Sequence, residues 1–267
     1  MIRFVKAHAC GNDFLIIDEP LEQGRYSRVA QTLCSRNTGV GADGVEYLTL
    51  GDNGGFAIRL FNADGSEAEI SGNGTRCVAA YLAQQEDVDE ISLRTHAGVR
   101  HCRIVERDHP RYRIATEMGV PRVETKTIAL KDGTSVAGLA VSIGNPHFVI
   151  FVDDETFACF GHTWQQVGEE ICGHASFPKG TNVEFVRVID TNTIAFRIYE
   201  RGVGPTQSSG TGSSASAAAS MHTRGVTRSL TVIAEGGEQT VEWPNNSASL
   251  RLTGPAEIIA QGECFLL

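Results

Sequence analysis

No Cys-x-x-Cys pair occurs anywhere in the chain, and its seven cysteines (10, 34, 77, 102, 159, 172 and 264) are odd in number and scattered. That pattern excludes a disulfide framework and the common zinc or dithiol motifs, and it points to a reduced, cytoplasmic protein. Also missing is any apolar run long enough to cross a bilayer. The opening MIRFVKAHACGNDF is charged and soon broken by glycine, so it does not read as a signal peptide. Positive charge is in deficit: 23 Lys and Arg against 32 Asp and Glu leave a net charge of -9. Nucleic acid and anionic membranes are therefore poor partners, and a small molecule is the better one. The eight histidines show no metal-ligand spacing, so no metal is expected, and no lysine sits in a recognisable pyridoxal phosphate context.

The chain does have length and composition enough for a real core. Its 267 residues, 41% hydrophobic and 21% charged, suit one large globular domain or two of ordinary size. Strands are expected at 14–18, 45–50, 56–61, 148–153, 182–188, 193–199 and 230–235, where β-branched and aromatic residues gather and several runs alternate apolar with polar. Helices are expected at 27–35, 74–85, 163–171 and 212–223, the last two short or weakly amphipathic. Strands in sequence with occasional helices make an α+β class.

The order of these pieces repeats. GNDFLIID at 11–18 is echoed by GNPHFVIFVD at 144–153, RLFN at 59–62 by RIYE at 197–200, and EISGNGTRC at 69–77 by QSSGTGSSA at 207–215. Arg59 precedes Ser71, and Arg197 precedes Ser209, by the same twelve positions. Two homologous half-domains with a ligand cleft between them are the natural reading. Each Ser-Gly-x-Gly opens a helix, so the glycines (72, 74, 210, 212) let backbone N-H groups approach a ligand, and the helix start favours an anion such as a carboxylate. The plainer alternative is a pair of serine N-caps without catalysis. GVGADG at 39–44 fits Gly-x-Gly-x-x-Gly by letter, but it follows a polar SRNT and precedes a strand, the wrong context for a dinucleotide fold.

These stretches, together with FNADGSEAEISGNGTRC (61–77), MGVP (118–121), NVEFV (182–186) and ERGVG (200–204), resemble the diaminopimelate epimerases over nearly the whole chain. The resemblance implies two pseudosymmetric domains, each a mixed β-barrel around a central helix, with residues 1–117 plus 256–267 in one and 118–255 in the other. It implies a cofactor-free epimerase of lysine biosynthesis that interconverts LL- and meso-diaminopimelate, and a cytoplasmic homodimer. Asn12, Asn62, Asn145 and Asn182, with Glu200 and Arg201, then hold the amino-acid substrate. Gly72-Asn73 and Gly210-Thr211 supply backbone donors to the reacting carboxylate, and His147 and Glu200 position the catalytic groups.

One departure falls at the reacting centre. Where that family places its two catalytic cysteines, this chain has Ser71 and Ser209. A thiol near pKa about 8.5 is tunable downward, whereas a hydroxyl needs an adjacent base. Cys77 lies six residues beyond Ser71, Cys10 lies just before Asn12, and Pro205 replaces a common glutamate. Three readings stay open: an epimerase working through hydroxyls with His147 or Glu200 as base, a same-fold isomerase or eliminating enzyme acting on another amino acid, and an amino-acid-binding protein without turnover.

Overall fold

In a computed structural model of the chain, which describes residues 1–18, 21–22, 24–51 and 55–265, the polypeptide forms two compact units, residues 1–117 with 253–267 and residues 118–252. The first is built from β1 (Ile2–Ala9), β2 (Asn12–Ile17), α1 (Tyr26–Cys34), β3 (Gly44–Leu50), β4 (Phe56–Asn62), β5 (Glu67–Ala68), α2 (Gly72–Gln85), β6 (Glu90–Thr95), β7 (Gly98–Asp108) and β8 (Arg111–Gly119). The second follows with β9 (Arg122–Ala129), β10 (Ser135–Ser142), β11 (Pro146–Phe151), α3 (Trp164–Cys172), β12 (Asn182–Val188), β13 (Thr193–Glu200), β14 (Gly204–Thr206), α4 (Gly210–Thr223), β15 (Ser229–Ala234) and β16 (Gly237–Glu242). A long last strand, β17 (Leu250–Cys264), brings the chain back to the first unit.

The repeat seen in the sequence is a repeat of topology. In the first unit β1–β2 is antiparallel, β2–β3 parallel, β3–β4 antiparallel, β4–β6 parallel and β6–β7 antiparallel. In the second, β10–β11, β11–β12, β12–β13, β13–β15 and β15–β16 run through the same alternation. β7 continues to β8, β8 meets β17 and β17 pairs with β1, so eight strands of the first unit close into a mixed barrel. The α+β fold with two barrels, each around a central helix, is therefore what the chain adopts.

Each barrel encloses a fourteen-residue helix. α2 packs against β1, β2, β3, β6 and β7, and α4 packs against strands from β9 to β16. Both are buried from the first residue for most of their length. This explains why α4 reads as weakly amphipathic: a helix enclosed on every side has no polar face to display. It has small residues instead, GTGSSASAAAS, which let strands approach from all directions. Two of its serines return their hydroxyls to the helix itself, Ser214 to Gly210 O and Ser220 to Ser216 O, while Ser213 accepts from Gln239 on β16. The outer helices behave conventionally. α3 starts on a capping box between Thr163 and Gln166 and buries Trp164, Val167 and Ile171 along one face.

All four expected helices are present, and α2 and α4 each begin two residues earlier than the pattern suggested, directly after the capping serine. Sequence reasoning missed β1, β5 to β10, β14, β16 and β17. Strands such as β7, GVRHCRIVERD, bury only alternate residues and carry charge on the outer face, which dilutes the apolar signal. No helix among the described residues is long and apolar enough to cross a membrane.

Encirclement of α4 has a direct test. Ala215, Ala217 and Ala218 point in three directions around the helix and all are fully buried. Ala215→Leu, Ala217→Leu and Ala218→Leu should each cost about 1–3 kcal/mol in urea denaturation, since overpacking has no free side to relax into. Tolerance at any of the three would mean that one face of the helix is open.

Candidate active site

In the first unit the site is organised by the start of α2. Ser71 is extended (φ -121°) and its Oγ accepts the Gly74 N-H at 3.0 Å. It is thus a true N-cap, while the first-turn N-H groups of the helix have no acceptor within the helix. Asn73 donates to Asn12 Oδ1 at 3.1 Å, and Asn12 Nδ2 donates to Asp43 Oδ2 at 2.7 Å. The buried guanidinium of Arg76 donates to Asn73 Oδ1, to Gly72 O and to Pro255 O. Asn62 stands apart from this chain of bonds and donates to Ser66 Oγ at 3.0 Å.

GVGADG serves as the bracket that holds Asn12. Asp43 at its end accepts from Asn12 and from Arg36, and Asp13 accepts from Arg36 at 2.8 Å and lies 3.0 Å from Lys6 Nζ. Burial pushes the Asp13 carboxyl up, but the hydrogen bonds and charges of Arg36 and Lys6 outweigh it and hold the group below the ordinary value.

The second unit repeats the plan with different chemistry behind it. Ser209 is again extended (φ -142°), its Oγ accepts the Gly212 N-H at 3.2 Å, and its hydroxyl lies 3.3 Å from that of Thr211. Asn145 Nδ2 donates to Thr211 Oγ1, and Asn145 Oδ1 faces His147 Nε2 at 2.9 Å. Because that oxygen can only accept, Nε2 carries a proton. The other ring nitrogen, Nδ1, lies 2.6 Å from Glu184 Oε1, with both side chains fully buried. One proton is shared across that contact. Burial drives the Glu184 carboxyl up, and the charge and hydrogen bond of His147 only partly offset it.

Asn182, Glu200 and Arg201 form a second group in this unit. Asn182 Oδ1 accepts the Arg201 backbone N-H at 2.9 Å, Arg201 donates to Lys179 O, and Glu200 Oε1 accepts from Thr206 Oγ1 at 2.5 Å. His147 is joined to Glu184, not to Glu200.

Two buried acids escaped the sequence reading. Glu46, the third residue of β3, and Glu184, the third residue of β12, occupy the same place in the two barrels, after GV and NV respectively. Each lies beside the second glycine of its Ser-Gly-x-Gly. A Cβ on Gly74 would collide with Glu46 Oε1, whereas one on Gly212 would meet Ile198 Cδ1 first, at 2.7 Å, with Ser209 Cβ at 3.1 Å and Glu184 Oε1 at 3.2 Å. Gly74 thus makes room for a carboxyl, and Gly212 makes room first for the Ile198 side chain. The available signal was a repeated Val-Glu inside otherwise apolar strands. Burial alone pushes the Glu46 carboxyl up to about 8.

This double construction has counterparts in known proteins. The family model for diaminopimelate epimerase matches residues 4–124 and again 139–259. The chain belongs to the diaminopimelate epimerase family. Among its relatives, the diaminopimelate epimerase of Pelotomaculum thermopropionicum is 37% identical over 280 residues, spanning 98% of each chain. That of Bacteroides thetaiotaomicron is 34% identical over 269 residues, covering 98% of this chain and 97% of the relative. Among solved structures, a predicted epimerase from Pseudomonas aeruginosa superposes with a TM-score of 0.78 at 16% identity, covering 100% of both chains. A probable proline racemase from Agrobacterium radiobacter gives the same TM-score and identity over 100% of this chain and 93% of its own. At that identity the two structures speak for the fold alone. In this member of the diaminopimelate epimerase family, both helix-capping positions are hydroxyls and a buried acid stands behind each.

The raised pKa of Glu46 fixes a sign for stability. Unfolded, the group titrates near its ordinary value of 4.5, and folded at about 8. Between those values the unfolded chain releases a proton that the folded chain keeps, so stability falls as pH rises through that window and levels off above it. Glu46→Gln removes this dependence. Its melting temperature, relative to the parent, should rise from pH 5 to pH 8, and a constant difference would mean that Glu46 ionises normally in the fold.

Proposed function

We propose that the chain is a diaminopimelate epimerase, interconverting the LL and meso forms by removing a proton from Cα and returning one to the opposite face without a cofactor. The observation that carries this reading is the duplicated helix start. Epimerisation needs two proton-handling groups, and each unit presents a capped helix whose first N-H groups suit a carboxylate. As the Cα proton leaves, charge grows on that carboxylate, and preorganised donors there stabilise the transition state more than the ground state.

In this reading Ser71 and Ser209 are the hydroxyls nearest the reacting centre, and Gly72-Asn73 and Gly210-Thr211 give the backbone donors. Asn12, Asn62, Asn145, Asn182, Glu200 and Arg201 fix the ends of the substrate. Asn12 and Asn145 are already locked by Asp43 and by His147, so they are oriented before any ligand arrives. His147, through Asn145 and Thr211, stands three hydrogen bonds behind Ser209. Family membership supports a place in lysine biosynthesis, and we infer a cytoplasmic homodimer on the same footing. A second reading, binding of the amino acid without turnover, draws on the fact that both serine oxygens are occupied by cap hydrogen bonds.

The deciding experiment is α-proton exchange of LL-diaminopimelate in deuterated water, followed by NMR and stereoisomer analysis. The parent should invert the centre with uptake of one deuteron, and Ser71→Ala or Ser209→Ala should lower the rate by about 100-fold or more. The double variant Ser71→Cys/Ser209→Cys should exceed the parent, because a thiol reaches its anion far more readily than a hydroxyl. Turnover by the double variant alone, with the parent binding but not exchanging, would decide for the binding protein.

A further inference from the structure

Glu46 is an expensive residue where it stands. Its side chain is fully buried, and neither carboxyl oxygen has a hydrogen-bond partner among the described residues. Burying a carboxyl without a hydrogen-bond partner is costly, while a leucine in the same strand position would carry no such penalty. Nothing in the packing of β3 requires an acid, since its neighbours Val45, Tyr47 and Leu48 are all core residues.

Its surroundings point toward the helix start. The carboxyl lies against Gly74, so closely that no side chain fits there, and the N-H of Gly74 is the one bonded to Ser71 Oγ at 3.0 Å. The second unit has a related arrangement: Ile198 Cδ1, Ser209 Cβ and Glu184 Oε1 all lie beside Gly212, Glu184 Oε2 is likewise unpartnered, and Oε1 lies 2.6 Å from His147 Nδ1. The registers make the comparison direct. Phe14 pairs with Gly44 as His147 pairs with Asn182, so the first unit has a phenylalanine where the second has the imidazole, and Glu46 is left to act alone.

We infer that Glu46 is the proton-holding partner of Ser71, a positioning residue that makes the hydroxyl competent as a base. The inference rests on the epimerase reading above. As the Cα-H bond breaks, its proton passes to Ser71 Oγ while the hydroxyl proton of Ser71 passes to the Glu46 carboxylate, which has to turn from its place against Gly74 toward the hydroxyl to receive it. The electron pair of the broken bond stays on the substrate and spreads into its carboxylate. Return of a proton runs the same steps backward, with Glu46 neutral at the start and ionised at the end.

The basicity suits the task, because burial raises the Glu46 carboxyl to about 8 and a base works best when its pKa lies near the working pH. The ionisable groups around it do not take over the role. Cys77 on α2, which feels the charges of Glu46, Cys10 and Asp13, is itself fully buried with its thiol pushed up. Arg76 directs its guanidinium to Gly72 O, Asn73 and Pro255 O, and Asp13 on β2 is held by Arg36 and Lys6.

The test compares the parent with Glu46→Gln and Glu46→Asp, each checked for parental circular dichroism. With diaminopimelate in deuterated water, Glu46→Gln should lower kcat by about 100-fold or more at little change in KM. In the parent, kcat should climb with pH and level off above about 8. That limb should vanish in Glu46→Gln and return, displaced, in Glu46→Asp. Parental rate and an unchanged limb in Glu46→Gln would overturn the inference. If the parent shows no exchange at all, the epimerase reading fails and a second measurement decides for Glu46: infrared titration of its carboxyl band, taken as parent minus Glu46→Gln, with and without Ser71→Ala. A band midpoint that moves when the Ser71 hydroxyl is removed supports the coupling. A midpoint indifferent to Ser71→Ala shows that the acid serves the fold only.

Discussion

Enclosing a helix on every side dictates much of the rest of each unit. α4 meets this constraint by being narrow, rich in glycine, alanine and serine along GTGSSASAAAS, whereas α2 also buries Arg76, Tyr81 and Leu82. Such a helix also has to begin inside the protein, where the four N-H groups of its first turn lack water as well as helical acceptors. A serine N-cap satisfies one of them in each unit, Gly74 N-H in one and Gly212 N-H in the other. Under the proposed function the substrate carboxylate meets the helix at this same end, so the constraint that makes the barrel core would also make its binding end.

Buried charge is distributed around these helix starts unevenly. Arg76 lies fully inside the first unit and is satisfied by carbonyl oxygens and Asn73 instead of a carboxylate, and burial lowers its pKa. Glu46 is an acid without a hydrogen-bond partner among the described residues, and Glu184 is an acid matched to an imidazole. Breaking such a pair is strongly destabilising because it strands the survivor, by about 3–5 kcal/mol in comparable buried cases. Natural chains retain such groups in the core at the expense of stability chiefly where chemistry uses them.

Much of this was legible in the letters. The paired Ser-Gly-x-Gly stretches and the equal intervals from Arg59 and Arg197 announced a duplication that reappears as one alternation of parallel and antiparallel pairs. Helix starts were visible because serine followed by glycine and small residues is a local signal. Strands such as β7 and β9 were not, since a barrel wall with one solvated face carries arginine, glutamate and lysine at every second position. Glu46 and Glu184 were hidden for another reason. A glutamate in a strand is ordinarily a solvated residue, and only the three-dimensional neighbour, a glycine in a helix some thirty positions away, shows that each is buried beneath a capping serine.

The two halves share a fold but not a proton inventory, and that difference bears on how hydroxyls stand in for thiols. A thiol stores its own proton and releases it near neutrality, so a pair of thiols needs no help from behind. A hydroxyl does neither, and the proton has to reside elsewhere. In the second unit the His147–Glu184 contact holds one shared proton, linked to Ser209 through Asn145 and Thr211. In the first unit the holder is a solitary carboxyl against Gly74. Because an isolated buried acid and an acid–imidazole pair bind their protons with different strength, the two hydroxyls are not interchangeable, and removal of the Cα proton from one diastereomer need not present the same barrier as removal from the other. An enzyme of this construction would approach the same equilibrium from both sides at rates set by two different acids, whereas a matched thiol pair would owe any asymmetry to the substrate alone.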